Sequence, residues 1–535
     1  MNLNQLDNKV SVSDQITPDD VQALAAQGVD LIICNRPDNE AADQPSFASI
    51  KEAADAAGVN ALCIPFVAGK MSPEQVDEFK AAVGDAKRVH AYCRTGNRSS
   101  IIYNAGQEAS APEPQAPTSQ KLTPHYQVVI VGAGSGGIAV AASLLKRDSQ
   151  LRIALIDPAT KHYYQPGWTM VGGGVFDAQS TERNMNELIP SGVEWLKKGV
   201  ASFLPEQNKV VLDDNSQVEY EQLVIAPGLK LDWGKIEGLE ETLGKNGVTS
   251  NYRFDLAPYT WELAKSLKSG TAIFTQPPMP IKCAGAPQKA LYLSADHWLK
   301  TDALNNINIK FCNAGPGLFG VPDYVPVLKS YMEKYGAELN FGHNLVKVDG
   351  PNKVATFKVA KEDGEAELVE MNFDMLQVCP VQCAPEFIAN SPLSDDAGWL
   401  DVNPNTLQST KAANIWGLGD ATNTANAKTM AAVRQQAPVV AQNIIDAFAG
   451  STPSSAYLGY GSCPLTVERG KILLAEFSYG GKVTPTFPEW INKGKAPTQR
   501  AWFLKATMLP WIYWHGMLKG REWLAAPKSI NDING

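Results

Sequence analysis

The feature that most constrains this chain is a glycine-rich turn between a buried strand and a buried helix. The apolar run 128–131 enters the turn 132–137 (GAGSGG), a helical pattern follows through Lys146, and a second apolar run ends at Asp157. Glycines in such a turn allow close approach of a pyrophosphate and tight helix packing, and the acid accepts from a ribose hydroxyl. The pattern predicts a Rossmann-type α/β fold with a dinucleotide site at Gly132, Gly134, Gly137 and Asp157.

Two later segments favour FAD as that dinucleotide. Residues 222–228 predict a strand that closes on a Pro-Gly turn, where two-dinucleotide flavoproteins return to the cofactor. Residues 414–420 predict a buried strand that ends at Asp420, which in that fold holds the ribityl chain. A helix that starts near Thr429 would direct its positive end at the flavin. The alternative for Asp420 is a simple helix cap.

A second G-x-G-x-x-G, at residues 315–320, raises the alternative of an NAD(P)H site. The second nucleotide-binding half, however, should begin at residues 271–274, and the turn 275–280 has three prolines where glycines would cradle a pyrophosphate. Pro316 also removes a backbone donor from the later loop. The sequence therefore favours FAD and keeps NAD(P)H as the alternative.

A proline- and alanine-rich stretch divides the chain. Residues 107–124 (QEASAPEPQAPTSQKLTP) lack the apolar residues that a core needs and predict an extended linker. A chain of 535 residues is too long for one core. We expect a small α/β domain over 1–106, a flavoprotein with two Rossmann-type halves over 125–485, and a separate C-terminal segment over 486–535.

Composition excludes several classes of function. A formal charge of −9 gives no electrostatic reason to bind nucleic acid. Eight cysteines do not form a disulfide scaffold, the first 14 residues lack an apolar signal region, and no ligand spacing indicates a metal site. The charge-free stretch 128–145 has spanning length, but its glycines predict strand, turn and helix. We expect a cytoplasmic protein with reduced thiols.

Three stretches of the body carry a recognisable pattern: HYYQP at 162–166, PIKCAGAPQK at 280–289 and LPWIYW at 509–514. They resemble the sulfide:quinone oxidoreductases, in particular the type found in mitochondria and many bacteria. The similarity extends from about His125 to Trp523. It implies a membrane-bound FAD enzyme that oxidises sulfide to a persulfide and passes two electrons to quinone.

The same resemblance implies the residues that contact the cofactor. Lys428 would lie by the flavin or the quinone, and Cys463 falls in another shared stretch that we interpret as structural. The positions that match FAD contacts in the family are Ser135, Gly136, Asp157, Gln165, Val200, Glu386 and Asp420.

In this family two cysteines flank the flavin, and Cys283 matches the first. Lys282 and the Pro/Gly-rich loop also favour a reactive thiolate there. In the close relatives the second cysteine follows the Gly-x-Gly-Asp aspartate, where this chain has Ala421. The replacements we expect are Cys383 and, behind it, Cys379. The alternative is that both are ordinary buried thiols.

The small domain carries one reactive loop. Residues 92–100 (YCRTGNRSS) predict a strand-to-helix loop whose amides, arginines and helix dipole would stabilise a Cys93 thiolate and bind an anion. Arg98 lies five positions after Cys93, which resembles the rhodaneses, whereas tyrosine phosphatases place the arginine at the sixth. The domain around it resembles a phosphatase-like family found beside bacterial sulfur enzymes. We expect sulfurtransferase activity with a small thiol or sulfite, and phosphatase activity as the alternative.

The C-terminal segment predicts a membrane partner. Five of the 12 tryptophans follow residue 489 and interleave with Tyr513, Met517 and Leu518 among other apolar residues. Basic residues, Lys505 among them, flank the segment, which suits a bilayer interface but is too short to span. We expect a protein peripheral to the inner (plasma) membrane. The alternative is a tail packed on its own core or on a second subunit of a homo-oligomer.

The working hypothesis is oxidation of sulfide to persulfide or polysulfide, with electrons passing to a membrane quinone and sulfane sulfur to Cys93. One alternative is an NAD(P)H:quinone reductase of the same fold. The other, motivated by Ala421, is a flavoprotein that binds or senses persulfide without turnover.

Overall fold

The computed structural model describes residues 3–41, 44–67, 71–108, 123–360, 366–490 and 493–530. It divides into two units, the first comprising Met1–Leu122 with Asn390–Pro392 and the second comprising the remaining chain. Both are α/β, which confirms the predicted fold class.

The N-terminal unit is a five-stranded sheet of order β1-β2-β5-β3-β4, parallel except for β1. Helices α1 and α2 cover one face, and helices α3 and α4 cover the other. Its elements are β1 (Asn4–Gln5), β2 (Val10–Ser13), α1 (Pro18–Ala26), β3 (Leu31–Cys34), α2 (Phe47–Ala56), β4 (Asn60–Cys63), α3 (Pro73–Asp85), β5 (Val89–Tyr92) and α4 (Asn97–Glu108).

The predicted linker is partly wrong at its start. Helix α4 continues to Glu108, so residues 107 and 108 are helical. Residues 109–122 of the proposed linker lie outside the described residues.

A buried histidine lies on the central strand of this unit. His90 of β5 is fully buried, with Ser11 Oγ 3.0 Å from its Nδ1 and Ser13 Oγ 2.9 Å from its Nε2. Burial lowers the pKa of His90 from 6.5 to about 4. Between those values the unfolded chain binds a proton that the folded unit excludes.

We therefore expect the N-terminal unit to lose stability as the pH falls from about 6.5 to about 4, because its unfolded state gains the His90 proton first. The loss should reach about 3 kcal/mol. Hydrogen exchange of peptides from β2 and β5, compared with a His90→Gln variant at each pH, isolates this contribution. Equal pH slopes for the two proteins would contradict it.

The second unit contains two parallel sheets. In the first, β10-β7-β6-β13 run parallel, β24 joins the end of β13, and β12 and β11 extend the sheet in antiparallel fashion. The second has the order β15-β22-β16-β17-β18 and is entirely parallel. These are the two Rossmann-type halves that the sequence predicts.

Smaller antiparallel sheets complete the unit: β19-β20-β21, and the pairs β8-β9, β14-β23, β25-β28 and β26-β27. The strands of the second unit are β6 (His125–Val131), β7 (Ile153–Ile156), β8 (Lys161–Tyr163), β9 (Glu182–Asn184), β10 (Val193–Leu196), β11 (Val200–Leu204), β12 (Lys209–Leu212), β13 (Gln217–Ile225), β14 (Lys230–Asp232), β15 (Val248–Thr249), β16 (Gly270–Gln276), β17 (Ile307–Asn313), β18 (Glu338–Phe341), β19 (His343–Asp349), β20 (Val354–Ala360), β21 (Ala366–Asn372), β22 (Met375–Gln377), β23 (Val381–Cys383), β24 (Ile415–Gly417), β25 (Ser455–Ala456), β26 (Gly461–Glu468), β27 (Lys471–Phe477) and β28 (Lys528–Ser529).

Helices cover both sheets, and α5 packs directly on α11. Thr429 caps α11 by accepting from the Ala432 amide, at the start that the sequence predicts. The helices are α5 (Ser135–Arg147), α6 (Trp168–Val171), α7 (Ala257–Ser266), α8 (Ala286–Lys300), α9 (Val325–Lys334), α10 (Glu386–Ala389), α11 (Met430–Phe448), α12 (Gln499–Phe503) and α13 (Leu509–His515). Among the described residues, none of the helices has both the length and the apolar character to cross a membrane.

The C-terminal segment is only partly exposed, which corrects the prediction for several of its residues. Tyr513, Met517 and Leu518 are buried in the core of the first sheet. Lys505, which we expected as a basic flank, lies in the π-helical turn Leu504–Met508 and is only 4% exposed. Apolar side chains of the segment that stay exposed are Trp490, Phe503, Met508, Trp511, Trp523 and Leu524.

Candidate functional site

The glycine turn between β6 and α5 forms a cradle. A Cβ on Gly132 would lie 2.6 Å from the Ala226 carbonyl oxygen, and one on Gly137 would lie 1.8 Å from the Gly132 carbonyl oxygen. Gly134 caps α5 without any side chain, and a Cβ there would meet nothing within 4 Å. The first amides of α5 therefore face open space, as a bound pyrophosphate requires.

Asp157 holds this cradle in place. Its Oδ2 accepts from the Ala133 amide at 2.7 Å, and its Oδ1 accepts from the Ala159 amide at 2.8 Å. Burial raises the pKa of this carboxyl. Each carboxylate oxygen retains a lone pair for a ribose hydroxyl.

Gly137→Ala is expected to weaken FAD binding by at least about tenfold, because the added methyl overlaps the Gly132 carbonyl and overpacking costs about 1–3 kcal/mol or more. The flavin-to-protein absorbance ratio of the purified variant measures this. Gly84→Ala in α3 is the matched control, since a Cβ there meets nothing within 4 Å. A Gly137→Ala protein with full flavin content would contradict the assignment of the cradle.

The C-terminal segment reaches the cradle through Tyr513. Its hydroxyl lies 2.7 Å from Ser135 Oγ and 2.5 Å from His162 Nε2. Burial lowers the pKa of His162 to about 4, so this ring is neutral at pH 7. The sequence did not predict this contact, although His162 and Tyr513 both lie in stretches that carry the family resemblance.

Cys283 lies in the loop between β16 and α8, in a conformation that is rare for residues with a side chain. Its φ is +53°, its amide donates to the Lys428 carbonyl at 2.9 Å, and its carbonyl accepts from the Ala286 amide at 2.7 Å. A left-handed non-glycine residue held by backbone bonds on both sides is typical of functional sites.

A buried lysine holds the Cys283 sulfur. Lys289, one turn into α8, is 2% exposed and places Nζ 3.1 Å from Cys283 Sγ. A hydrogen bond from the Cys463 thiol, together with Lys289 and the more distant Lys505, keeps the pKa of Cys283 well below its usual value despite burial. The site therefore favours the thiolate form of this sulfur, which is the reactive form of a cysteine.

Lys505 and Cys463 are the members of this cluster that sequence reasoning missed. Lys505 Nζ donates to the Pro166 carbonyl at 3.3 Å, and burial, with the charge of Lys289, lowers its pKa to about 7. Cys463, expected to be structural, is fully buried on β26, and its hydrogen bond to Cys283 raises its own pKa.

Asp420, Lys282 and Lys428 form the charged surroundings of the Cys283 loop. Burial raises the pKa of Asp420, which receives no side-chain hydrogen bond among the described residues, and burial lowers the pKa of Lys428 to about 8. Lys428 Nζ donates to the carbonyls of Asp420 (2.8 Å) and Thr422 (2.7 Å). A half-buried carboxylate that receives no side-chain hydrogen bond suits the hydroxyls of a ribityl chain.

The two cysteines predicted as partners of Cys283 have different settings. Cys379 is buried in the same apolar cluster as Cys283, and burial raises its pKa to about 12. Cys383 ends β23, where it pairs with Lys230, and burial raises its pKa as well. The described residues show no contact between the Cys383 and Cys283 thiols.

Three further predicted FAD contacts have these positions. Gln165 is exposed and accepts a hydrogen bond from Lys282 Nζ. Val200 begins β11, and Glu386 begins α10 in an exposed ion pair with Lys230.

The N-terminal unit has its own candidate site at the end of β5. Cys93 is 1% exposed, and α4 begins four residues later. Arg98 reaches Cys93 but forms a bidentate pair with Glu40, at 2.6 and 2.7 Å. Ser99 Oγ is buried without a hydrogen-bond partner among the described residues. Arg94 is exposed, so one of the two expected arginines lies at the thiol.

Two family models match the chain. The "Beta-lactamase hydrolase-like protein, phosphatase-like domain" covers residues 2–110, and "Pyridine nucleotide-disulphide oxidoreductase" covers residues 126–260. The mitochondrial sulfide:quinone oxidoreductase of Dictyostelium discoideum is 40% identical over 417 residues, which are 77% of this chain and 90% of that protein. This chain belongs to the sulfide:quinone oxidoreductase family.

Further comparisons agree with this membership. The mouse mitochondrial sulfide:quinone oxidoreductase is 36% identical over 74% of this chain and 87% of its own. The solved sulfide:quinone oxidoreductase of Aquifex aeolicus shares the fold, with a TM-score of 0.61, 19% identity, and coverage of 75% of this chain and 92% of that one. The family resemblance predicted from the sequence is thus confirmed.

The protein is an FAD flavoprotein, as predicted. Its residues fit that cofactor, since the α5 amides, Asp157 and Asp420 offer partners for the pyrophosphate, a ribose and the ribityl chain. Beside them, the chain presents an acidic thiol among buried lysines, an arrangement suited to sulfur nucleophile chemistry.

Proposed function

We propose that this protein oxidises sulfide at Cys283 and delivers the electrons to a quinone. The observation that carries the proposal is the Cys283 thiolate, 3.1 Å from Lys289 Nζ, in a strained loop of an FAD-binding fold. The names of its relatives, which pair sulfide with quinone, support the same assignment. Persulfide or polysulfide is the expected sulfur product.

Different residues of the chain have different roles in the proposed reaction. Bound FAD supplies a two-electron acceptor that a quinone can reoxidise. The glycine cradle, Asp157 and Asp420 hold the cofactor, with Gln165, Val200, Glu386 and Lys428 as further proposed contacts. Lys289 keeps the sulfur of Cys283 ionised, and Lys505, with its pKa of about 7, can supply or accept a proton beside it.

The quinone requires contact with a membrane, and the exposed part of the C-terminal segment suits it. Trp511 and Trp523 stack in parallel with centroids 5.7 Å apart, and Phe503 and Met508 are also exposed. Lys519 and Arg521 are exposed nearby in sequence. Aromatic and basic side chains together favour the headgroup region of a bilayer. We propose peripheral binding to the inner (plasma) membrane.

The N-terminal unit would receive the sulfur. Cys93, Arg98 and the start of α4 form a small anion-binding loop, with Ser99 Oγ available as an additional partner. We propose that Cys93 accepts sulfane sulfur from the persulfide, directly or through a small thiol, and that a small thiol or sulfite is the final sulfur acceptor. The match to a phosphatase-like domain favours hydrolysis of a phosphate ester as the second candidate activity.

The steady-state test of the main proposal is reduction of a short-chain quinone by purified protein. We expect turnover with sulfide and none with NADH. Turnover with NADH alone would instead support an NAD(P)H:quinone reductase. Retention of FAD without turnover by either donor would support a binding or sensing flavoprotein.

The N-terminal proposal is tested with Cys93→Ser in the full chain. We expect unchanged sulfide-dependent quinone reduction and loss of sulfur transfer to sulfite, measured as thiosulfate. Cys312→Ser, at a buried cysteine of the second unit, is the control. Full thiosulfate formation by Cys93→Ser would refute the transfer role, and Cys93-dependent hydrolysis of an aryl phosphate would favour the phosphatase.

A further inference from the structure

The strand β26 brings a second thiol to Cys283. Cys463 lies on β26 of the β26-β27 hairpin, whose inner face packs on α8, and Cys283 packs against the same apolar cluster. Cys463 is fully buried, and its thiol and the thiol of Cys283 are near enough to shift each other's pKa.

A glycine permits this close approach. A Cβ on Gly285 would lie 2.4 Å from Leu465 Cδ2 and 3.8 Å from Cys463 Cβ. The Cys283 loop therefore lies directly on β26, and any larger residue at 285 would lift it away. The contact is built into the packing of loop, hairpin and helix.

Two buried lysines lie near both sulfurs. Lys289 Nζ lies 3.1 Å from Cys283 Sγ, and the positive charges of Lys289 and Lys505 both interact with the sulfurs of Cys283 and Cys463. Burying a lysine is costly unless a negative partner compensates it. Two lysines beside two thiols are suited to a site where negative charge appears on either sulfur during the reaction.

Cys379 is the main alternative to Cys463 as the redox partner of Cys283. It lies in the apolar cluster of Tyr252 and Ile281, and its sulfur interacts with Gln382 Nε2 at 3.7 Å and with the Pro380 carbonyl at 3.9 Å. The lysine whose charge acts on Cys379 is Lys282, whereas Lys289, which donates to Cys283, is the lysine whose charge acts on Cys463. Cys383 lies on β23 beside Lys230, without contact to Cys283 among the described residues.

We propose that Cys463 is the second redox cysteine of this protein and forms the reversible disulfide with Cys283. This inference rests on the proposed function and deepens it. With Cys463 in this role, the protein has two redox cysteines although position 421 is alanine.

The proposed turnover has three steps. Hydrosulfide attacks the more accessible sulfur, Cys283, so that a new S–S bond forms, the Cys283–Cys463 bond breaks, and Cys463 leaves as a thiolate. A thiolate acceptor takes the outer sulfur, and Cys283 is released as a thiolate. The two cysteines then rejoin as a disulfide, and bound FAD would accept the two electrons that this releases and pass them to quinone.

The experiment maps disulfides in the full-length holoprotein after oxidation with excess quinone. The protein is alkylated during denaturation, digested and analysed by mass spectrometry, with and without prior sulfide. We expect a Cys283–Cys463 link, as disulfide or trisulfide, that protects two of the eight thiols and disappears after sulfide. A Cys283 link to Cys379 or Cys383, or eight alkylated cysteines in the oxidised protein, would overturn the proposal.

Variants and the flavin spectrum separate this inference from the function on which it rests. Cys463→Ser should abolish the protected pair, whereas Cys379→Ser should keep it. If sulfide bleaches the flavin but no Cys283–Cys463 disulfide is found, Cys463 is not the redox partner, and the proposed oxidation of sulfide still stands. If the disulfide is found but sulfide does not bleach the flavin, the redox pair is supported and the proposed oxidation of sulfide is overturned.

Discussion

Replacing Cys283 by serine is expected to abolish sulfide-dependent quinone reduction, with a loss of about three orders of magnitude or more. The Cys283 sulfur forms the disulfide that hydrosulfide attacks and the persulfide that results, and a serine oxygen can form neither. The substitution changes one atom, so the left-handed loop and its backbone bonds to Lys428 and Ala286 should persist.

The measurement combines turnover with the flavin-to-protein ratio, which should equal that of the wild type. Cys312→Ser is the control, since Cys312 is a buried cysteine of the same unit that packs in a different apolar cluster. Sulfide-dependent turnover by flavin-loaded Cys283→Ser within tenfold of the wild type would contradict the role of Cys283.

Replacing Lys289 by methionine is expected to shift the acidic limb of the pH–rate profile to higher pH. Lys289 donates to the Cys283 sulfur at 3.1 Å and its positive charge lowers the pKa of that thiol, so its loss raises that pKa. A hydrogen bond to a charged group contributes about 1.5–3 kcal/mol, which corresponds to about 1–2 pH units. At any pH below the new pKa, less thiolate is present and the reaction is slower.

The shift is measured by alkylation of Cys283 in the reduced protein as a function of pH, followed by mass spectrometry, and by the rate of flavin bleaching by sulfide. Ionisation of sulfide itself is the same for both proteins and cancels in the ratio. Lys300→Met, on the same helix and paired with Asp296 at the surface, is the control. Identical alkylation profiles for wild type and Lys289→Met would contradict the role of Lys289.

Local sequence patterns predicted the parts of the site that depend on local structure. The glycine turn, the strand before it and the acid after it occupy about 30 consecutive residues, and their spacing defines the geometry of β6, α5 and β7. Cys283 was predicted for a similar reason, because its neighbours in the string 280–289 are distinctive.

The rest of the site depends on contacts between distant parts of the chain. Cys463 is 180 residues from Cys283, and only the packing of the β26-β27 hairpin on α8 brings the two thiols together. Lys505 was interpreted from its aromatic surroundings as a surface residue, but it is buried and lies in a π-helical turn. A helical period of 3.6 does not predict where the side chains of a π-helical turn lie.

The C-terminal segment shows the same limit of prediction from sequence. Its composition predicts an interface with a membrane, but composition does not tell which face of a short helix is buried. Tyr513 is buried against Ser135 and His162, whereas Trp511, two residues earlier, remains exposed. The proposal of a membrane-facing segment is therefore limited to its exposed residues.

The most direct test of the central claim is an anaerobic titration of the purified holoprotein with sulfide, followed by flavin absorbance. We predict that sulfide bleaches the flavin, that a short-chain quinone restores it, and that NADH has no effect. A flavin that stays oxidised in excess sulfide, or that NADH bleaches instead, would contradict the proposed oxidation of sulfide at Cys283.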